Sequence, residues 1–383
     1  MTAFVTDIKY RMALSLIRDL NDNKIKTVGL YTGSIPPFAS RSKGLSACYS
    51  IPDSREDPAG FIKRLIELCR EYCNDAGLPV VLPVASSTLS ILSKDDSQAA
   101  LKGVCRMCIS NESCLELAND KARLAEMARK IGVPTPEEYR VTCKEDLENL
   151  DYPLIAKPVF GEKQGLPAEK RYRLVSSPKQ AIKALEDYTF ENRLPVFQKW
   201  LAGSGWGYSV LAENGEIINS ICHRRIREYP VSGGPSTCCV SEDGAFLLPH
   251  ARKLIKALNF TGLAMIEFKT DLEGNPYLLE INPRIWGTFP LTRVAKSSIA
   301  YDWYALAAEL EPKRISPKTG VRMYYLPSDA RRSLSRMKKG AVISAASAIK
   351  DWLSPFSHEG IFELSDLGAS WGYLTSYMKG RRG

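Results

Sequence analysis

Apolar and polar positions alternate between two periods along the first third of the chain. "AFVT" (3–6) predicts a short strand. "IKYRMALSLIRDL" follows and sets Met12, Leu16, Ile17 and Leu20 on one helical face. "KTVGLYT" (26–32) predicts a second strand, and "PAGFIKRLIELCREYCNDAG" (58–77) a second amphipathic helix ended by Gly77. "LPVVLPV" (78–84) is apolar throughout, as in a parallel strand covered on both faces. Strands alternating with helices predict a doubly wound parallel α/β domain over residues 1–115. It carries no GxGxxG, so no dinucleotide fingerprint.

The texture then changes. "NDKARLAEMARKIGVPTPEEY" (119–139) predicts a helix stopped at Gly132 and Pro134. "YPLIAKPV" (152–159) predicts a strand with one lysine, followed by a charged loop containing Gly161 and Gly165. "SSPKQAIKALEDYTF" predicts a helix with Ser177 as cap and Pro178 in its first turn. "LPVFQKWLAGSGWGYSVLAENGEIINSICH" predicts two strands and a turn at Asn214–Gly215. "SIAYDWYALAAEL" predicts one more helix, and no repeat or low-complexity tract appears.

Two strand-like runs, "LAMIEFKT" (263–270) and "NPYLLEIN" (275–282), flank "DLEGNP", a turn-forming string. A turn centred between Glu273 and Gly274 sets Glu267 opposite Glu280, with Asn282 facing the same way. Two facing carboxylates on an apolar sheet require compensation, by a shared proton or by a divalent cation. Two carboxylates and an amide oxygen are hard ligands suited to Mg²⁺ or Mn²⁺. A register shifted by one would instead send Glu267 to solvent. Arg284 shares the parity of Asn282 and can grip a carboxylate or phosphoryl oxygen, or pair with a glutamate.

Lys157, in an otherwise apolar strand, needs a partner or an exit to water. The glycines after it let backbone N–H groups approach phosphates, although the GxxxxGK[ST] spacing is missing. The strand bearing Gln198 offers an edge on which a purine can rest. His223, Arg224, Arg225 and Arg227 precede Gly233–Gly234, an arrangement that suits a polyanion or a solvated strand face equally.

Composition narrows the class. The chain has 383 residues, 44% hydrophobic and 25% charged, as in a globular protein of two or three domains. No apolar run is long enough to span a bilayer. The opening "MTAFVTDIKYRM" lacks a basic stretch followed by a long apolar core, so no secretory leader and a cytoplasmic location are expected. The ten cysteines are scattered, so free thiols are expected, and Cys105–Cys108 lacks the second ligand pair that a zinc site needs. Of the net charge of +9, residues 311–383 carry +7, from thirteen basic and six acidic residues. That asymmetry argues against nucleic acid as a partner of the body and for a basic C-terminal extension. Its segment 329–353 predicts one basic helix, whose Arg331, Arg332, Arg336, Lys338 and Lys339 motivate contact with a membrane surface or an acidic carrier. A solvated helix packed on the body is the plainer expectation.

Taken in order, "NDKARLAEMARKIGVPTP", "YPLIAKPVFGEKQG", "VFQKWLAGSGWGYSVL" and "MIEFKTDLEGNPYLLEINPRIWG" resemble the ATP-grasp superfamily from about Asn119 to Leu310. The resemblance implies a two-subdomain ATP-grasp module over 116–310, with a lid subdomain near 150–200, after the α/β domain and before the extension at 311–383. It implies that Lys121 and Lys157 contact phosphates and adenine, helped by Gly161 and Gly165, and that Gln198, Lys199 and Leu201 hold the adenine. Glu267, Glu280 and Asn282 match the metal ligands, and Arg284 the arginine beside the reacting acyl phosphate. Arg224 is the second catalytic candidate. The ribose contact has no counterpart, since Gly205, Trp206 and Gly207 occupy its stretch. The implied activity is ligation of a small-molecule carboxylate to an amine, using ATP with Mg²⁺ or Mn²⁺. A bicarbonate-using carboxylase, a grasp-type kinase and a non-catalytic nucleotide-binding module are the competing readings.

Overall fold

The computed structural model describes residues 1–75, 77–158, 166, 172–229, 234–337 and 342–379, with backbone alone for 342–345. The chain begins β1 (Ala3–Val5), α1 (Arg11–Asp22), β2 (Thr27–Tyr31), β3 (Ala47–Ser50), α2 (Pro58–Glu71), β4 (Val80–Leu82), α3 (Ser86–Leu92) and α4 (Asp95–Leu101). These strands make a parallel sheet in the order β3-β2-β1-β4. α1 buries Leu14, Leu16, Ile17 and Leu20, as its spacing demands. Asp57 caps α2 by accepting from Gly60 N–H at 2.9 Å, with Pro58 at the first turn. The sheet has one strand more than the pattern predicts. β3, "ACYS", is a half-buried edge with too few apolar residues to announce itself.

Next come α5 (Glu112–Asn119), α6 (Lys121–Lys130), β5 (Glu138–Tyr139), β6 (Leu154–Lys157), β7 (Arg173–Val175), α7 (Pro178–Tyr188) and β8 (Val196–Lys199). The helix expected to stop at Gly132 is α6, which begins where Asp120 caps it by accepting from the N–H groups of Ala122 and Arg123 and ends at Lys130. β5, β8, β6 and β7 form a small antiparallel sheet, covered by α7 around Phe197, Leu154 and Ala184.

The remaining elements are β9 (Gly205–Glu213), β10 (Glu216–Glu228), β11 (Ser236–Glu242), α8 (Leu248–Ala257), β12 (Gly262–Thr270), β13 (Pro276–Asn282), α9 (Pro290–Val294), α10 (Ile299–Ala307), β14 (Arg322–Tyr324), α11 (Leu326–Met337), α12 (Val342–Leu353), β15 (Ser357–Glu359) and α13 (Leu367–Met378). A seven-stranded sheet runs β13-β12-β9-β10-β11-β14-β15. β9 turns into β10 through Asn214 and Gly215, both at positive φ.

The C-terminal segment departs from the expected appendage. β14 and β15 extend the central sheet, and 326–353 forms two helices instead of one. Buried ion pairs fasten the segment. Arg227 of β10 pairs with Asp329 at 2.7 Å and with Asp351, and Trp352 Nε1 donates to Asp329. Arg18 of α1 pairs with Asp366 at 2.9 Å. One apolar core runs through Val5, Leu16, Leu263, Trp303, Tyr325 and Tyr373, so first domain, central sheet and last helix share it. Among the described residues no helix is long and apolar enough to cross a membrane. All ten cysteines are free thiols.

Candidate functional site

In the β12–β13 hairpin, Glu267 stands directly across from Glu280, and Met265 from Asn282. The expected turn centre is nevertheless off by one residue. Near the turn, Phe268 pairs with Leu278 and Thr270 with Pro276, and an irregularity past Glu267 leaves Leu279 unpaired. This bulge restores the register that puts both carboxylates on one face. Asn282 donates its amide N–H to Glu267 at 3.1 Å and to Glu280 at 3.2 Å.

Three cations, Lys121, Arg225 and Lys157, act on the pair, and a fourth, Arg284, lies beside Asn282. Lys121, first residue of α6, places Nζ 2.7 Å from Glu280. α6 is held there because the chain after it returns along β13, where Leu278 N–H donates to Pro134 O at 2.8 Å. Arg225 of β10 reaches Glu267 at 2.5 Å and Glu228 at 3.3 Å. Its Nε is buried with no hydrogen-bond partner among the described residues, an orphaned donor facing the site. Lys157 comes from the small sheet and donates to Gln198 Oε1 at 2.8 Å. Arg284 donates to Ile285 O at 2.9 Å and to Asn282 Oδ1 at 3.4 Å.

Arg225 can reach Glu267 because β9 lies between them without side chains in the way. Gly207 pairs with Glu267 on one side and with His223 on the other. A Cβ on Gly207 would stand 2.2 Å from His223 Cε1, and one on Gly205 3.1 Å from Arg225 Cδ. "GWG" therefore clears a lane across the sheet. Trp206, between the glycines, points to the opposite face, where it packs edge-on against Phe246. Arg224 pairs with Trp206 across the strands and bonds Glu242 at 3.0 Å. Arg224 thus lies on the far face from the carboxylates, and its neighbour Arg225 occupies the place foreseen for it.

Of the other expected residues, Gln198 uses its side chain to link Lys157 with Glu138, to which its Nε2 donates at 2.8 Å. Lys199 is exposed, and Leu201 is buried at the crossing between the two sheets. Gly161, Gly165 and most of the loop 160–170 lie outside the described residues. Glu138 was not singled out by sequence, and Arg225 was named only within the cluster from His223 to Arg227. Arg225 had a signal, since it alternates with buried His223 on a strand.

Electrostatics follow from this crowding. Burial, reinforced by the charge of Glu280, pushes the Glu267 carboxyl above its ordinary range, against the pull of Arg225. Burial also acts on Glu280, but Lys121, Asn282 and Lys157 outweigh it and hold that carboxyl low. Burial, then the nearby positive charge of Lys121, brings Lys157 down to about 8. Burial keeps His223 neutral, pushed down to about 3, with its Nε2 3.2 Å from Thr288 Oγ1. Two opposed carboxylates with a side-chain amide between them fit a hard divalent cation. To offer its oxygen to one, the Asn282 amide must turn about its last torsion. The orphaned Arg225 Nε and the cations around it suit an anionic ligand.

Residues 195–328 match a family model described as "ATP-grasp in the biosynthetic pathway with Ter operon". Carbamoyl phosphate synthase large chains are 26% identical over 221 residues in Archaeoglobus fulgidus and over 226 in Methanothermobacter thermautotrophicus. These stretches cover 52% and 55% of this chain but only 19% and 21% of those proteins, so the match spans about a fifth of their length. Among solved structures, biotin carboxylase from Campylobacter jejuni in its β,γ-ATP complex superimposes with TM-score 0.61 at 17% identity, covering 84% of this chain and 74% of that one. The biotin carboxylase domain of Hydrogenobacter thermophilus 2-oxoglutarate carboxylase, with MgADP and bicarbonate, gives 0.59 at 19%, covering 84% and 73%. L-amino acid ligase from Bacillus licheniformis gives 0.57 at 16%, covering 82% and 75%.

Proposed function

We propose that the chain, which matches an ATP-grasp family model over residues 195–328, is an ATP-grasp enzyme and acts as an ATP-dependent ligase. It activates a small-molecule carboxylate as an acyl phosphate and joins it to an amine, releasing ADP and phosphate. The observation that carries this reading is the opposed pair Glu267 and Glu280, with Asn282 between them and Lys121, Lys157, Arg225 and Arg284 around them.

Glu267, Glu280 and Asn282 would hold Mg²⁺ (or Mn²⁺), which supplies neutralisation of charge on the β- and γ-phosphates. Lys121 from the start of α6 and Lys157 from the small sheet offer point charges to phosphate oxygens. Arg225 and Arg284 present planar donors to the acid substrate and to the oxygens of the transferred phosphoryl group. A carboxylate oxygen attacks the γ-phosphorus and ADP leaves. The amine nitrogen then attacks the acyl carbon, phosphate leaves, and the amine proton passes to solvent or to a nearby base. Holding the reactants in line lowers the entropic barrier.

Lys199, Leu201 and Gln198 frame the adenine side in this reading, and the glycines at 161 and 165 the phosphate side. Arg224, on the far face, takes no part, and Arg225 assumes its role. Bicarbonate, the acid of the competing carboxylase reading and a ligand of the Hydrogenobacter thermophilus biotin carboxylase domain, is a second acid to test. The test is ADP and phosphate release across a panel of carboxylates, bicarbonate included, each with and without amines. Release that needs both partners supports the ligase, and Glu280→Gln should remove it. Release with bicarbonate alone selects the carboxylase reading, and no turnover with any pair sinks both.

A further inference from the structure

We propose that the C-terminal helical layer, α11 to α13, docks the protein on an anionic lipid bilayer surface. Of the 17 large hydrophobic residues exposed among the described residues, 11 lie within 326–378. They are not scattered. On α13, Leu367, Trp371 and Met378 are exposed and Leu374 is half-buried, at spacings of four, three and four. The inner face of the same helix is already used, with Ala369, Gly372 and Tyr373 packed toward Phe38. α13 is therefore apolar on both sides, and among the described residues nothing covers the outer stripe. Along the end of α12 and just beyond, Ile349, Leu353 and Phe356 repeat the pattern, and Leu353 and Phe356 are 80% and 81% exposed. Leu334 and Met337 add to it on α11, which is tied to α13 by Arg331 stacked on Tyr377 at 4.6 Å.

Charge decides what covers these stripes. All five acidic residues of 326–379 are turned inward. Asp329 and Asp351 pair with Arg227, Asp366 and Glu363 with Arg18, and Glu359 accepts from backbone N–H groups. None of the five is exposed, whereas Arg331, Lys350 and Lys379 are. The sequence adds Lys338, Lys339, Arg381 and Arg382, outside the described residues. The outward face of this layer thus offers apolar stripes and cations with no exposed carboxylate of its own. That combination suits the interface of an anionic membrane, where apolar side chains enter the headgroup region and lysines and arginines meet lipid phosphates. A second copy would bring cations against cations, and the same layer cannot neutralise itself.

The experiment pellets the full chain with phosphatidylcholine vesicles and with vesicles carrying about a third phosphatidylglycerol, at about 0.1 M salt. Binding is expected to the anionic vesicles only, and to weaken as salt rises. The triple variant Leu367→Ser, Trp371→Ser, Met378→Ser should lower partitioning about tenfold or more, and Lys350→Glu with Lys379→Glu should do the same at low salt alone. All these side chains are exposed, so far-UV circular dichroism and the melting temperature should match the parent. Equal binding to both vesicle types, no binding, or variants that bind like the parent would overturn the proposal. So would a dimer in sedimentation velocity that the triple variant abolishes, or retention on polyglutamate without vesicle binding, which would assign the surface to a second copy or an acidic protein.

Discussion

Arg225→Met in metal-free buffer isolates the electrostatics of the site. The guanidinium lies 2.5 Å from Glu267, whose side chain is only 14% exposed. Its removal leaves Glu267 with a single amide donor, Asn282 at 3.1 Å, and the opposing charge of Glu280. Two unit charges about 4 Å apart at an effective dielectric of about 20 interact by about 4 kcal/mol. Truncating one partner of a buried pair costs about 3–5 kcal/mol. With unfolding entropy near 2.1 cal/mol/K per residue, a chain of 383 residues melting as one unit changes by about 0.8 kcal/mol per degree, so the variant should melt about 4–6 °C lower. The loss carries a pH signature. Glu267, already raised, rises further in the variant, so the folded state holds its proton more tightly than the unfolded one. The deficit should therefore be small near pH 5 and grow toward pH 8. Millimolar Mg²⁺ should return most of the deficit by binding the freed carboxylates, raising the variant's melting temperature more than the parent's. Differential scanning fluorimetry at the two pH values, with EDTA or Mg²⁺, reads all of this. An unchanged melting temperature without metal, or equal Mg²⁺ stabilisation of both proteins, would refute the reasoning.

Lys157, down at about 8, loses its charge as pH rises, so kcat/KM for ATP should fall above pH 8. Lys157→Arg, which stays charged, should flatten that limb, and a pH profile shared by parent and variant would remove Lys157 from phosphate binding. Gly207→Ala drives a methyl into the buried His223 ring and should cost about 1–3 kcal/mol in urea unfolding, more than Gly287→Ala, whose methyl would meet nothing nearer than Arg11 at 3.7 Å. Asp366→Ala removes the nearer of Arg18's two carboxylates, leaving Glu363 at 3.6 Å, along with the bonds from Ser42 and Lys43 N–H, and should lower stability by about 3 kcal/mol in the same assay.

The alternation of Glu280, Asn282 and Arg284 exposed the carboxylate hairpin, because a period of two survives in sequence. The turn did not survive as well. Asp271 accepts from Asn275 N–H, which tightens the loop by one position, and the bulge at Leu279 absorbs the difference. Two wrong steps, a longer turn and no bulge, cancel to give the observed pairing. β10 was harder. Its ladder slips between Ile217 and Asn219 and again beyond Arg225, so parity counted from the turn sends Arg224 and Arg225 to the wrong faces. "GWG" read as a missing ribose contact, when its use is to leave space. β14 and β15 have three residues each, too short for any period to show. Their place is set by pairing to strands far away in sequence, β14 along β11 and β15 along β14.

The stitching of the last helix to the first bears on how the protein is made. Arg18 emerges from the ribosome early, while Asp366 and Ser370, which bond it, arrive some 350 positions later. Tyr325 and Tyr373, part of the same interior as Leu16, are equally late. Until then the nascent chain carries a cation and an oily face with no cover, a state that chaperones recognise. Vectorial synthesis therefore leaves α1 uncovered until α13 has followed it.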